Sequence, residues 1–162
     1  MSQPLVGIVM GSDSDWGVMQ HAARELQAFG VPHESRVVSA HRTPDLLYQY
    51  AEQAPPRGLR CIMPAPALRT SRHARRQDLR PVLGVPVPSR HLNGVDSLLS
   101  IVQMPGGIPW PPSPSARPGA RNAGLFAVAM LARTDTALAG QLDAFRRAQT
   151  DKVLGLTLPE PS

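Results

Sequence analysis

The side chains of this sequence that are equipped for chemistry fall in two short motifs. Met10-Gly11-Ser12-Asp13-Ser14-Asp15-Trp16 gathers a glycine, two hydroxyls and two carboxylates, and Ser39-Ala40-His41-Arg42-Thr43-Pro44 follows some two dozen residues later. Gly11 allows the backbone a tight turn, Ser12 and Ser14 offer hydroxyls, and the amides opening a following helix aim partial positive charge at an anion. Arg42 adds a guanidinium fork suited to phosphate, and His41 has an ordinary pKa close to neutrality. These types predict a site that holds a phosphate-bearing ligand beside a group able to give and take a proton. Each residue also has a plainer use. Ser12, Ser14 and Asp15 suit a helix cap, Thr43-Pro44 suits a helix start, and a lone histidine is often structural.

Both motifs follow apolar β-type runs, Leu5 to Val9 and Arg36 to Val38, and precede helical patterns. They therefore stand where strands of an open α/β sheet end, the edge at which such folds bind ligands. The spacing predicts a helix from about Asp15 to Phe29, with Val18, Ala22, Leu26 and Phe29 on one stripe and Gly30 as the stop. A strand is expected near Glu34 to Val38, then a helix capped by Thr43 with Pro44 and Asp45 in its first turn. Strands over Leu59 to Ile62 and Val82 to Val87 should follow, then a short helix from Gly94 to Val102. Helices over Ala120 to Arg133 and Thr136 to Leu154 close the chain, the last with Leu138, Leu142, Phe145 and Val153 on one side. Alternating strands and helices predict an α/β fold, a mostly parallel sheet with helices on both faces.

A length of 162 residues suits a single domain over residues 1–162 with a core of ordinary size. No run approaches the roughly 18 apolar residues of a membrane helix. The apolar start lacks a basic region and a small-residue cleavage site, so it reads as a first strand and the expected setting is cytoplasmic, with no membrane partner. Cys61 is the one cysteine, which excludes an internal disulfide and reads as a small buried hydrophobe. His21, His33, His73 and His91 lack metal-ligand spacing, and no metal is expected.

The net charge of +5 is uneven. Seven arginines (57, 60, 69, 72, 75, 76 and 80) stand against Asp78 alone between Arg57 and Arg80, leaving ten basic against eleven acidic residues elsewhere. No aromatic residue is interleaved with them, so the stacking part of single-strand recognition is missing and no nucleic-acid partner is expected. A nucleic-acid module built on this run is the competing reading.

The two motifs resemble those of the N5-carboxyaminoimidazole ribonucleotide mutase family of purine biosynthesis, PurE class I. The resemblance continues in Val82-Leu83-Gly84-Val85-Pro86-Val87-Pro88-Ser89, in Gly94 to Pro109, in Gly119-Ala120-Arg121-Asn122-Ala123-Gly124-Leu125 and in Phe145-Arg146-Arg147-Ala148-Gln149-Thr150. It implies a three-layer αβα sandwich with a flavodoxin-like sheet, and a homo-octamer. The implied reaction moves a carboxylate from the exocyclic nitrogen of a small-molecule ribonucleotide to ring carbon four, with no cofactor. His41 matches the family's general acid/base, and Ser12, Asp15 and Arg42 match substrate-binding positions, with Gly11, Ser14, Ser39 and Ala40 beside them. A catalytically impaired ribonucleotide-binding homologue and the related aminoimidazole ribonucleotide carboxylase are the alternatives.

Two windows depart from the family pattern. After the third strand the family has a glycine-rich loop of the type Ala-Gly-Ala-Gly-Gly-Ala-Ala-His-Leu-Pro-Gly, where this chain has Pro64 to His73. Later, Trp110-Pro111-Pro112-Ser113-Pro114-Ser115 stands where the family has a strand of the type Val-Ala-Thr-Val-Ala-Ile, and such prolines cannot sit in a central strand. Both departures read as frame slips. Val-Ala-Thr-Val-Ala-Ile-Gly-Lys-Ala written in GC-rich codons and begun one base late yields Trp110 to Pro118 residue for residue. Pro64 to Ser71 written likewise and begun two bases late yields Gly-Ala-Gly-Ala-Ala-His-Leu. The expected frame-slipped windows are about 63–80 and 110–118.

Overall fold

The computed structural model describes residues 3–65, 80–89, 92–103, 113 and 115–158. Its centre is strand β1 (Val6–Met10), buried along its whole length. β1 pairs in parallel with β2 (His33–Val37), from Val6 opposite His33 to Met10 opposite Val37. On its other side it pairs in parallel with β3 (Cys61–Pro64), from Val6 opposite Cys61 to Val9 opposite Pro64. The order is β2-β1-β3. Between the strands and beyond them lie helices α1 (Trp16–Ala28), α2 (Pro44–Gln53), α3 (Val95–Val102), α4 (Ala116–Leu131) and α5 (Thr136–Leu154).

Alternation along β1 divides the core in two. Val6, Ile8 and Met10 join α1, α4 and α5 in one cluster, while Val9 joins Val38, Leu47, Tyr50, Leu59 and Ile62 around α2 in the other. The crossovers β1-α1-β2 and β2-α2-β3 run in opposite directions across the sheet, and right-handed connection then places α1 and α2 on opposite faces. Three layers result. α1 and α4 approach closely because Ala22, Ala23, Ala120, Ala123 and Gly124 face one another; a Cβ at Gly124 would stand 3.0 Å from the Ala22 carbonyl oxygen.

The expected fourth strand is only begun. The Leu83 amide donates to the Ile62 carbonyl at 2.9 Å and the Val85 amide to the Pro64 carbonyl at 3.2 Å, but the pairing amounts to a single parallel bridge, Ile62 to Val82. Pro64 has no amide to donate to the Leu83 carbonyl, so the ladder between β3 and this run is interrupted there. Outside this run the Ser113 amide donates to the Gly84 carbonyl at 3.0 Å and the Ala116 amide to the Pro86 carbonyl at 2.9 Å. These two bonds stand where the resemblance places a fifth strand. Residues 66–79 of the first anomalous window and 110–112 and 114 of the second lie outside the described residues.

Helix boundaries match expectation best where caps are explicit. Asp135 accepts from the Leu138 amide at 3.0 Å, and α5 starts and stops at the expected residues. Val153, expected on its apolar side, is 65% exposed, because the core ends near Phe145, whose ring meets Phe29 edge to face at 5.5 Å. α4 begins four residues before the expected Ala120, with Pro118 in a first turn that needs no amide from it. Among the described residues no helix is long and apolar enough to cross a membrane.

On the α2 face, Tyr50 is buried with its hydroxyl directly above Gly7 and has Arg57 5.1 Å from its ring centroid. A Cβ on Gly7 would run into that hydroxyl oxygen. Gly7→Ala is therefore expected to cost about 1 to 3 kcal/mol by overpacking. Tyr50→Phe in the same chain should recover part of the loss in urea unfolding. No recovery would mean that the clash lies elsewhere. Arg57 also pairs with Glu34, so this first member of the basic run serves the fold.

Candidate functional site

Both sequence motifs leave the sheet side by side. The Val38 amide donates to the Met10 carbonyl at 2.8 Å, carrying the β1–β2 ladder one step past β2, and the two loops diverge from there. Ala65 is tied to the same edge through its amide and the Val9 carbonyl, at 2.8 Å. Three loops thus start from one edge, the carboxyl ends of parallel strands.

The first loop is a capping box. Ser12 is extended (φ −150°) and its hydroxyl accepts from the Ser14 amide at 3.3 Å, while its own amide donates to Asp15 Oδ2 at 3.3 Å. Ser14 Oγ donates to Ser12 Oγ at 2.9 Å, and Ser12 Oγ to Asp13 Oδ1 at 3.1 Å. The capping use of Ser12 and Asp15 is real, and it fixes the hydroxyls in one cluster. Burial holds the Asp15 carboxyl above the ordinary carboxylate range; the Ser12 and Gly11 amides partly offset this, and the Asp13 charge adds to it.

A folded pKa above the unfolded one means the native state holds its proton more tightly, so stability falls as pH rises through that interval. At neutral pH the charged Asp15 is therefore a cost to the fold. Asp15→Asn is expected to melt higher at neutral pH. An unchanged or lower Tm would show that burial of this carboxylate carries no penalty.

The second loop turns on Ser39, which is buried. Its hydroxyl accepts from the Arg42 amide at 3.2 Å and stands 3.5 Å from Arg42 Nε. Arg42 Nη2 then crosses to the first loop and donates to the Gly11 carbonyl at 2.9 Å. A cleft of about 340 Å³ lies between the loops, lined by Gly11, Ser12, Asp13, Val37, Ser39, Arg42, Thr43 and Leu46. A hollow of about 280 Å³ adjoins it across Asp13 and Val37, reaching Trp16 and Arg36.

The structure thus brings Gly11, Ser12, Ser39 and Arg42 to one cleft, with Ser14 and Asp15 bonded to Ser12. His41 is exposed on the turn between Ala40 and Arg42 and is not part of the cleft lining, while Ala40 packs partly buried against the α2-side core. Asp13, Val37, Thr43 and Leu46 were not expected at the site. Loop spacing signals Asp13 and Thr43, whereas Val37 and Leu46 line the cleft only through the placement of β2 and α2. Cys61 is buried, and burial pushes its thiol up to about 12, which makes it a core side chain and no nucleophile. A larger cavity of about 700 Å³ lies at the opposite strand ends, against Leu5, Cys61 and Leu138. It shares nothing with the two motifs.

A family model described as AIR carboxylase matches residues 5–152. The chain belongs to the AIR carboxylase family. It is 49% identical over 154 residues to the N5-carboxyaminoimidazole ribonucleotide mutase of Bacillus subtilis (strain 168), covering 94% of this chain and 95% of that one. To the mutase of Brucella melitensis it is 49% identical over 150 residues, 91% of this chain and 93% of that one. The crystal structure of Treponema denticola PurE matches with a TM-score of 0.80 at 24% identity, over 93% of this chain and 94% of that one. That likeness carries the fold alone: a flavodoxin-like α/β sandwich. In this AIR carboxylase family member, both motifs lie within the matched residues.

Proposed function

We propose that this chain, a single domain over residues 1–162, catalyses the mutase reaction of purine biosynthesis, from N5-carboxyaminoimidazole ribonucleotide to 4-carboxyaminoimidazole ribonucleotide. The observation that carries the reading is the cleft between the β1 and β2 loops, bridged by Arg42, within a chain 49% identical to a protein named for this reaction. The remaining Arg42 donors and the Ser12 hydroxyl face a phosphate, and Asp15 takes a ribose hydroxyl.

The step needs no oxidant and no outside group. The bond from the exocyclic nitrogen to its carboxyl carbon breaks, releasing carbon dioxide, and the nitrogen gains a proton. Ring carbon four then forms the new bond to carbon dioxide and loses its proton. One proton has moved from carbon to nitrogen, and His41 is the group that carries it. An exposed imidazole at the rim can do this when the ring of the bound ribonucleotide projects out of a cleft that holds its phosphate.

The carboxylase reading, which starts from aminoimidazole ribonucleotide and carbon dioxide, is favoured by the description of the family model itself. Supplying each substrate separately tells the two apart. A homo-octamer in the cytoplasm fits the resemblance, and Leu92, Val95, Leu99 and Val102, all exposed around α3, suit burial against further copies. The binding reading is tested by titrating aminoimidazole ribonucleotide and RNA at two salt concentrations. Ribonucleotide should bind with little change, and Arg42→Ala should weaken it by about 1.5 to 3 kcal/mol, the scale of a lost hydrogen bond to a charged group. Steeply salt-dependent RNA binding without ribonucleotide binding would instead support the nucleic-acid module.

A further inference from the structure

The Thr43 hydroxyl takes no part in the chemistry above, yet its bonds close the turn that carries it. Thr43 Oγ1 accepts from the Ser39 amide at 3.0 Å and donates to the Ser39 carbonyl at 3.0 Å, and the Thr43 amide donates to the same carbonyl at 2.8 Å. The Ser39 hydroxyl in turn accepts from the Arg42 amide. Ser39 and Thr43 thus form the base of a closed loop with Ala40, His41 and Arg42 around it. A threonine before a helix ordinarily bonds forward to the free amides of the first turn. Thr43 makes no such bond to α2, and its backbone (φ −136°, ψ 59°) turns the side chain back onto Ser39. The hydroxyl holds the preceding turn in place of the helix it precedes.

We propose that Thr43 is a positioning residue: its hydroxyl locks the Ser39–Thr43 turn so that Arg42 stays on the Gly11 carbonyl and the phosphate cleft stands preformed. The inference rests on the reading that this cleft takes the phosphate of the ribonucleotide. Preformed walls raise affinity because binding then orders fewer groups. Thr43 lines the cleft with its neighbours, so loosening the turn displaces the Arg42 fork and the Ser39 wall together.

The test uses the full chain with Thr43→Val, which keeps the shape and drops the hydroxyl, and Thr43→Ser, which keeps the hydroxyl and drops the methyl. Ribose 5-phosphate is the probe, titrated by calorimetry, with amide hydrogen exchange at Arg42 and Thr43 and the Tm measured on each chain. Thr43→Val is expected to weaken binding about tenfold, as for one net hydrogen bond, and to speed exchange at both amides by a similar factor. Thr43→Ser should stay within about threefold of the parent in both. A purely structural role at the start of α2 would lower the Tm of both variants without this split. Parental binding by Thr43→Val, or failure of Thr43→Ser to rescue, overturns the inference and leaves the cleft reading standing. If the parent fails to bind ribose 5-phosphate, the cleft reading falls and this inference falls with it.

Discussion

Replacing His41 with asparagine in the frame-restored chain is expected to lower turnover by about 100-fold or more, the usual scale for losing a general acid/base, while ribonucleotide affinity stays within about a factor of three. The split follows from placement. His41 stands exposed on its turn outside the cleft lining, whereas Arg42 bridges the two loops that form the cleft. Asparagine keeps a hydrogen-bonding side chain of similar reach but cannot carry a proton at neutral pH. Arg42→Ala should show the opposite pattern, with affinity falling first. If His41→Asn kept near-parental turnover, proton transfer would belong to another group, and the half-buried carboxyl of Asp15, raised by desolvation, would be the next to replace.

That the two motifs would meet in one cleft was legible in the sequence because the signals are local. Gly11-Ser12 and Ser39 to Pro44 each combine a turn, a cap and a strand end within a few residues, and physics at that range is set by near neighbours. α5 was legible from its stripe of Leu138, Leu142 and Phe145, and the structure adds Asp135 as its cap. What the sequence did not reveal depends on partners distant along the chain. β3 runs over Cys61–Pro64 and not Leu59 to Ile62, because its register is set by pairing with β1. Leu59 is buried just before the strand on the α2 face, so hydrophobicity alone cannot fix its start. Val37 and Leu46 became cleft walls through the same long-range placement. Thr43 was read as a helix start, which it is, but its hydroxyl bonds backward in a way that composition does not encode.

Replacing both windows with the residue types the family pattern has there is expected to raise turnover by at least about 100-fold over the chain as written, since misplacing a catalytic pocket by around an ångström already costs that much. Ala65, the residue after β3, is bonded to Val9 at the edge that carries both motifs, and the resemblance has a glycine-rich loop following it. Changing Pro64 to Ser71 to a Gly-Ala-Gly-Gly-Ala-Ala-His-Leu loop supplies small residues that let backbone amides approach a ligand, which a run with Pro64, Pro66 and Arg69 cannot. The second window acts on the sheet. Two bonds, from Ser113 to Gly84 and from Ala116 to Pro86, now stand where a Val-Ala-Thr-Val-Ala-Ile strand would form a full ladder. Correcting that window alone should therefore raise the Tm more than the turnover, and correcting the loop alone should do the reverse. Circular dichroism melts and a common ribonucleotide assay on the four chains decide it. Equal turnover from the uncorrected and doubly corrected chains would show that the glycine-rich loop is dispensable, and that the cleft between the β1 and β2 loops suffices for the reaction.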